Sequence, residues 1–203
     1  MKKTVLAILV FLLINQLCVN AQSVVVGVKG GISFTNISAS SFSGSYKPAY
    51  QIGAFASKKI NNKWGLQAEL QLNQVSAKKS ADFDKIYYNL QNTLSDGTAN
   101  ISYISVPVLA TYKLNNTFSF NAGPQVSAAV YSNEALFRNG QKAFKTLDYS
   151  LVGGAKIDLV DVQFYARYNY GLSNINNYDD RDTWKNMQLT FGVEVPVFKK
   201  GKK

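Results

Sequence analysis

The amino-acid sequence predicts an all-β fold: an eight-stranded antiparallel up-and-down transmembrane β-barrel. Three observations carry that prediction. Apolar and polar residues alternate one by one over long stretches, these stretches exceed the length of ordinary soluble strands, and short and long connections alternate strictly between them. A chain of 203 residues suits a single domain of this kind.

The alternation is clearest over 64–73. Trp64, Leu66, Ala68, Leu70 and Leu72 share one face there, opposite Gly65, Gln67, Glu69, Gln71 and Asn73. A period of two belongs to a strand, because successive side chains point to opposite sides; a helix would mix the two sets. The pattern returns over 118–130, where Phe118, Phe120, Ala122, Val126, Ala128 and Val130 oppose Ser119, Asn121, Gly123, Gln125 and Ser127. From Val162 onward, Phe164, Ala166, Tyr168 and Tyr170 oppose Gln163, Tyr165, Arg167 and Asn169. Over 186–198, Met187, Leu189, Phe191, Val193, Val195 and Val197 oppose Gln188, Thr190, Gly192 and Glu194. Further strands are predicted over 24–35, 49–59, 101–114 and 147–158, which makes eight. Soluble strands usually run about five or six residues, whereas a tilted strand crossing a bilayer needs about 9–11. The length of these segments therefore favours a membrane barrel over a soluble sandwich.

The connections give an independent argument. Asn61-Asn62, Asn115-Asn116 and Val160-Asp161 are tight links, and Asn or Asp suits the backbone conformations of hairpin turns. The other links, 37–47, 79–100, 132–146 and 176–183, are long. Consecutive barrel strands run up and down, so all short turns fall at one end and all long loops at the other. Short periplasmic turns and longer extracellular loops are the layout of outer-membrane barrels. The predicted location is therefore the cell outer membrane, and aromatic residues near strand ends (Trp64, Tyr112, Phe118, Tyr131, Tyr168, Tyr170 and Trp184) suit its interfacial girdles.

Residues 1–21 read as a secretory signal peptide and residues 22–203 as the outer-membrane barrel domain. Lys2 and Lys3 precede an unbroken apolar stretch over 5–14, and Val19-Asn20-Ala21 places modest side chains before a cleavage at Ala21/Gln22. Ten apolar residues fall short of the roughly 20 that a spanning helix needs. Cys18 follows the bulky Leu17, a poor match to a lipidation signal. Cleavage after Ala21 removes this single cysteine, leaving no disulfide and no thiol ligand. The formal charge of +10 is scattered apart from the tail lysines Lys199, Lys200, Lys202 and Lys203, so nucleic acid is not an expected partner.

Several segments resemble the PorT-like outer-membrane β-barrel family of the Bacteroidetes. Gly27-Val28-Lys29-Gly30-Gly31-Ile32-Ser33-Phe34 resembles its opening strand, Leu66-Gln67-Ala68-Glu69-Leu70 its third, and Tyr103-Ile104-Ser105-Val106-Pro107-Val108-Leu109 its fourth. Ala122-Gly123-Pro124-Gln125 and Ala166-Arg167-Tyr168-Asn169-Tyr170-Gly171-Leu172 complete the ordered set. The resemblance implies a small barrel in a Gram-negative outer membrane. One branch of the family resembles a component needed for secretion across that membrane.

The chain has no histidine, which removes Ser-His-Asp and Cys-His arrangements and the commonest metal ligand. No enzyme activity, catalytic residue, metal site or cofactor is expected. Asp179, Asp180 and Asp182 beside Arg181, and Asp82 and Asp84, read as hydrophilic loop tips rather than as a Ca²⁺ site. The charges of interest lie on the polar faces: Lys29, Glu69, Lys113, Lys156, Arg167 and Glu194 are expected to point into the lumen. An eight-stranded barrel is just wide enough for side chains to fill, and buried charges must pair. Glu69 and Glu194 are thus expected to be bridged by Arg167 and by one or more lysines. Gly27, Gly31, Gly53, Gly123 and Gly154 share the inward face and allow close packing there.

The predicted function is that of a non-enzymatic outer-membrane barrel with a structural, adhesive or secretion-accessory role exerted through its loops. Its expected partners are outer-membrane lipid, lipopolysaccharide and other envelope proteins. The alternative is a soluble exported calycin-like barrel that carries a small apolar ligand. That alternative puts Leu66, Leu70 and Leu72 inside and Glu69 on the outer wall.

Overall fold

A computed structural model describes residues 24–81, 98–132, 144–177 and 181–200. Among them, eight strands follow in chain order: β1 (Val24–Ser38), β2 (Phe42–Lys59), β3 (Trp64–Lys79), β4 (Thr98–Lys113), β5 (Phe118–Ser132), β6 (Leu147–Asp158), β7 (Gln163–Gly171) and β8 (Lys185–Lys200). Each pairs antiparallel with its sequence neighbours. β1 pairs with β8, from Val24 opposite Lys200 to Ser38 opposite Lys185, and so closes the barrel. Closure matters energetically. Hydrocarbon offers no hydrogen-bond partner, an unpaired backbone group there costs several kcal/mol, and a closed sheet has no edge.

The faces are the reverse of those in a water-soluble barrel. Leu70 is 59% exposed and Leu72 38%, whereas Glu69 and Gln71 are 4% and 5% exposed. Ile32, Ile52, Phe120, Val126, Leu151, Phe164 and Phe191 continue the apolar outer belt around the barrel. The ligand-carrier alternative needs the opposite arrangement and is not favoured by this one.

The short links are tight turns over residues 60–63, 114–117 and 159–162. Asn61 Oδ1 accepts from the backbone N–H groups of Lys63 and Trp64, and Asn115 Oδ1 accepts from those of Thr117 and Phe118. The asparagines thus close these turns through their side chains, in the manner of Asx turns. At this end, Trp64 and Tyr112 stack obliquely on neighbouring strands, with ring centroids 4.9 Å apart. Tyr131, Tyr168 and Tyr170 are exposed nearer the other end, joined by Tyr46, Tyr50 and Tyr149.

Trp184 departs from the girdle expected of it. It is fully buried, packed edge-on against Phe42 at 5.1 Å and tilted against Phe144 at 5.4 Å. The strands also rise further than the alternation predicted: β2 begins at Phe42, β3 runs on to Lys79 and β4 starts at Thr98. Above the lipid belt the faces exchange roles. Ile37, Val75, Ala77, Ala99, Ile101 and Tyr103 point inward and pack with Phe42, Phe144, Ile175 and Trp184, while Lys78 and Tyr46 face outward. A barrel wall in water buries its apolar side chains, and one in lipid exposes them. This change of solvent explains the inversion.

Candidate functional site

The interior is layered. At its centre, on the periplasmic side of the barrel, Glu69 of β3 and Glu194 of β8 are sealed from solvent. Arg167 of β7 spans them, with Nη1 2.8 Å from Glu69 Oε1 and Nη2 2.8 Å from Glu194 Oε1. Lys29 of β1 reaches both carboxylates, at 2.7 Å and 3.2 Å, and Lys156 of β6 lies 2.9 Å from Glu194 Oε2. Gln67 Nε2 donates to Glu69 at 2.6 Å and to Glu194 at 3.1 Å, while its Oε1 accepts from Lys156 at 2.8 Å. Gln71 Nε2 also donates to Glu69. Three cations therefore surround two carboxylates, with the remaining lone pairs taken by amides. Burial of charge demands such pairing.

Alternation puts these residues on the inner face, and the glycines make room for them. A Cβ on Gly192 would stand 2.5 Å from the Tyr165 ring, and one on Gly31 would stand 2.9 Å from its hydroxyl. The ring so admitted lies 4.3 Å from Lys29 Nζ and 4.8 Å from the Arg167 guanidinium carbon. Such cation–π contacts strengthen where water is excluded. Tyr165 was legible only as a member of the polar face; its position between two cations depends on Gly192 of the adjoining β8 and Gly31 of β1 beyond it.

The structure brings together Lys29, Glu69, Lys156, Arg167 and Glu194. It does not bring Lys113 to them. Lys113 ends β4 at the short-turn end, where the inward face opens to water, and its side chain is exposed. Its register is inward but its depth is wrong, and alternation alone does not encode depth.

Above the charges lies a layer of amides and hydroxyls. Ser105 Oγ donates to Asn73 Oδ1 at 2.7 Å and shares a 2.8 Å hydrogen bond with Ser127. Ser33 meets Thr190 at 2.9 Å, and Gln51 donates to Gln71. The apolar cluster around Trp184 then stoppers the extracellular end. Asp182 is part of that stopper rather than a solvated tip. Its carboxylate accepts from Ser41 N–H at 2.8 Å, Ser41 Oγ at 2.7 Å and Ser40 N–H at 3.3 Å. Asp179, Asp180, Asp82, Asp84 and the signal segment lie outside the described residues. Among the described residues, no group of three His, Cys, Asp or Glu could hold a metal ion.

The architecture is similar to that of a solved barrel. Ail, the attachment invasion locus protein of Yersinia pestis, was solved in complex with the heparin analogue sucrose octasulfate. It matches at a TM-score of 0.50 and 11% identity, over 86% of this chain and 98% of its own. The outer membrane protein OprG of Pseudomonas aeruginosa matches at 0.48 and 14%, over 89% and 97%. Neisserial surface protein A matches at 0.47 and 15%, over 85% and 97%. No curated protein matches the chain by sequence. The family model for the outer membrane protein beta-barrel domain matches residues 20–177, and with inverted faces, closure and turn layout all in agreement, the chain belongs to that family of outer-membrane barrels.

Proposed function

We propose that this barrel is a sealed, non-enzymatic scaffold that works by contact through its extracellular end, as an adhesin or as an accessory to secretion. The observation that carries this reading is the double closure of the lumen, by the Arg167-centred charge cluster and by the apolar stopper around Trp184. A lumen filled in this way favours neither conduction nor a substrate pocket. The absence of histidine from the chain points the same way for acid–base catalysis. The strands that continue above the lipid belt hold a firm platform for the long loops. Ail, of the same fold, forms a complex with the heparin analogue sucrose octasulfate, and a contact role of that kind suits a barrel with no open path. Within the family, the ordered motifs favour the PorT-like branch of the Bacteroidetes. Residues 1–21 supply the export signal, and lipid with lipopolysaccharide surrounds the outer belt.

Two measurements test this function. Planar-bilayer recordings of the refolded barrel are expected to show no stable openings, and regular single-channel steps would overturn the sealed-lumen reading. Replacing the long loops with short turns is expected to abolish surface adhesion or secretion while leaving the barrel heat-modifiable on gels. Unchanged adhesion and secretion would overturn the contact role.

A further inference from the structure

The periplasmic mouth of the barrel opens into a cup of about 280 Å³. Lys58, Lys59, Lys63, Lys113 and Lys156 all line it, together with Trp64. Two carboxylates are present, and one of them, Asp158, already accepts from Gln163 Nε2 at 2.6 Å. Asp161 sits in the exposed turn. None of Lys58, Lys59, Lys63 and Lys113 forms an ion pair among the described residues. The floor adds to the imbalance. Lys156 belongs to the cluster in which three basic side chains face two carboxylates, a formal excess of one basic group behind the cup.

Like charges crowded on one concave surface repel, and low-dielectric walls focus their field into the opening. Folding alone gives no reason to gather the unpaired Lys59, Lys63 and Lys113 over a further lysine, Lys156. A bound anion does. Drug-sized ligands occupy pockets of roughly 300–1,000 Å³, so this cup suits a smaller group or the end of a chain. We infer that the periplasmic cup is an oxyanion-binding site that takes a phosphate or carboxylate group presented from the periplasm, with Lys63 and Lys113 at its rim. This site lies at the opposite end of the barrel from the contact surface proposed above and stands independently of it.

Equilibrium dialysis of the full barrel in uncharged detergent tests the inference, with inorganic phosphate and glutarate as probes over a constant chloride background. Saturable binding of at least one probe is expected. A Lys63→Gln, Lys113→Gln variant is expected to bind about tenfold more weakly, in line with the loss of two exposed charge contacts. A Lys47→Gln, Lys78→Gln variant, which removes the same charge at the other end, should bind as the parent does. Stronger retention of phosphate would assign a phosphate group, and stronger retention of glutarate a carboxylate. No saturable binding of either probe, or equal weakening in both variants, would overturn the site. Heat-modifiable gel mobility confirms that each variant is folded.

Discussion

Glu69 and Glu194 stand on strands separated by two others, yet one guanidinium serves both, with Arg167 2.8 Å from each carboxylate. The pair is thereby tied across the lumen rather than along the sheet. Backbone pairing sets the wall of the barrel, and this bridge links side chains from opposite arcs of it.

Breaking the bridge should be costly. Arg167→Met leaves two buried carboxylates to Lys29 and Lys156, and removing one partner of a buried pair costs about 3–5 kcal/mol. Urea unfolding in lipid vesicles is expected to show a loss of that order. Adding Glu69→Gln to Arg167→Met should recover part of it, because the stranded charge is gone. Simple additivity of the two substitutions would contradict a shared network.

Gly153 and Gly154 are neighbours in sequence but face opposite ways. A Cβ on Gly153 meets nothing within 4 Å, while one on Gly154 would stand 2.2 Å from the Ala166 carbonyl oxygen and 2.7 Å from Arg167 Cγ. Gly153→Ala is expected to be neutral or to stabilise by about 0.4–1 kcal/mol through the unfolded chain. Gly154→Ala should destabilise by about 1–3 kcal/mol through overpacking. Denaturant midpoints measured side by side check the contrast, and equal effects would count against the assigned faces.

The outer belt makes a depth-dependent prediction. Leu70→Arg, in the middle of β3, should cost about 2–4 kcal/mol, and Val160→Arg, in a periplasmic turn, about 0–1 kcal/mol. Folding yields into vesicles at matched urea concentrations give the comparison. Comparable costs at both positions would argue that Leu70 does not meet hydrocarbon.

These positions also show how far the sequence could be read. The bounds of the strand over 147–158 were legible to the residue, between the end of a long link at Thr146 and the tight turn after Asp158. The start of β2 was not. Between Phe42 and Pro48 the exposed residues are Gly44, Ser45, Tyr46 and Pro48, and two register shifts against β3 interrupt the period of two, so the alternation vanishes though the strand continues. The change of solvent above the lipid belt hid the role of Trp184: an aromatic residue near a strand end reads as a girdle until tertiary packing shows which wall it serves. Lys113 shares the inward register but stands apart from the charge cluster, because period two gives side but not height. Glu69, Glu194 and Arg167 were legible because charges on an inward face have few ways to be satisfied. The lysine cup was not, because its members come from strand ends and turns that alternation does not connect.

At the extracellular end, the Asp182 carboxylate holds Ser40 and Ser41 by three hydrogen bonds. Asp182→Ala removes a partly exposed local clamp while leaving the barrel wall intact. Faster proteolytic nicking near Ser40 is expected, with a change in global unfolding below about 1 kcal/mol, since the end of the barrel can open on its own. Unchanged nicking would mean that the stopper is held by its apolar contacts alone.

The orientation of the two faces is tested most directly by labelling. In a Cys18→Ser background, Leu70→Cys and Gln71→Cys place one thiol on each side of the same strand. In lipid vesicles, a fluorophore on the Leu70→Cys barrel is predicted to be quenched by spin-labelled acyl chains, while the thiol of the Gln71→Cys barrel should resist both lipid-borne and water-soluble reagents until the barrel is unfolded. A thiol at 70 that is sealed, with one at 71 quenched by lipid, would contradict the account.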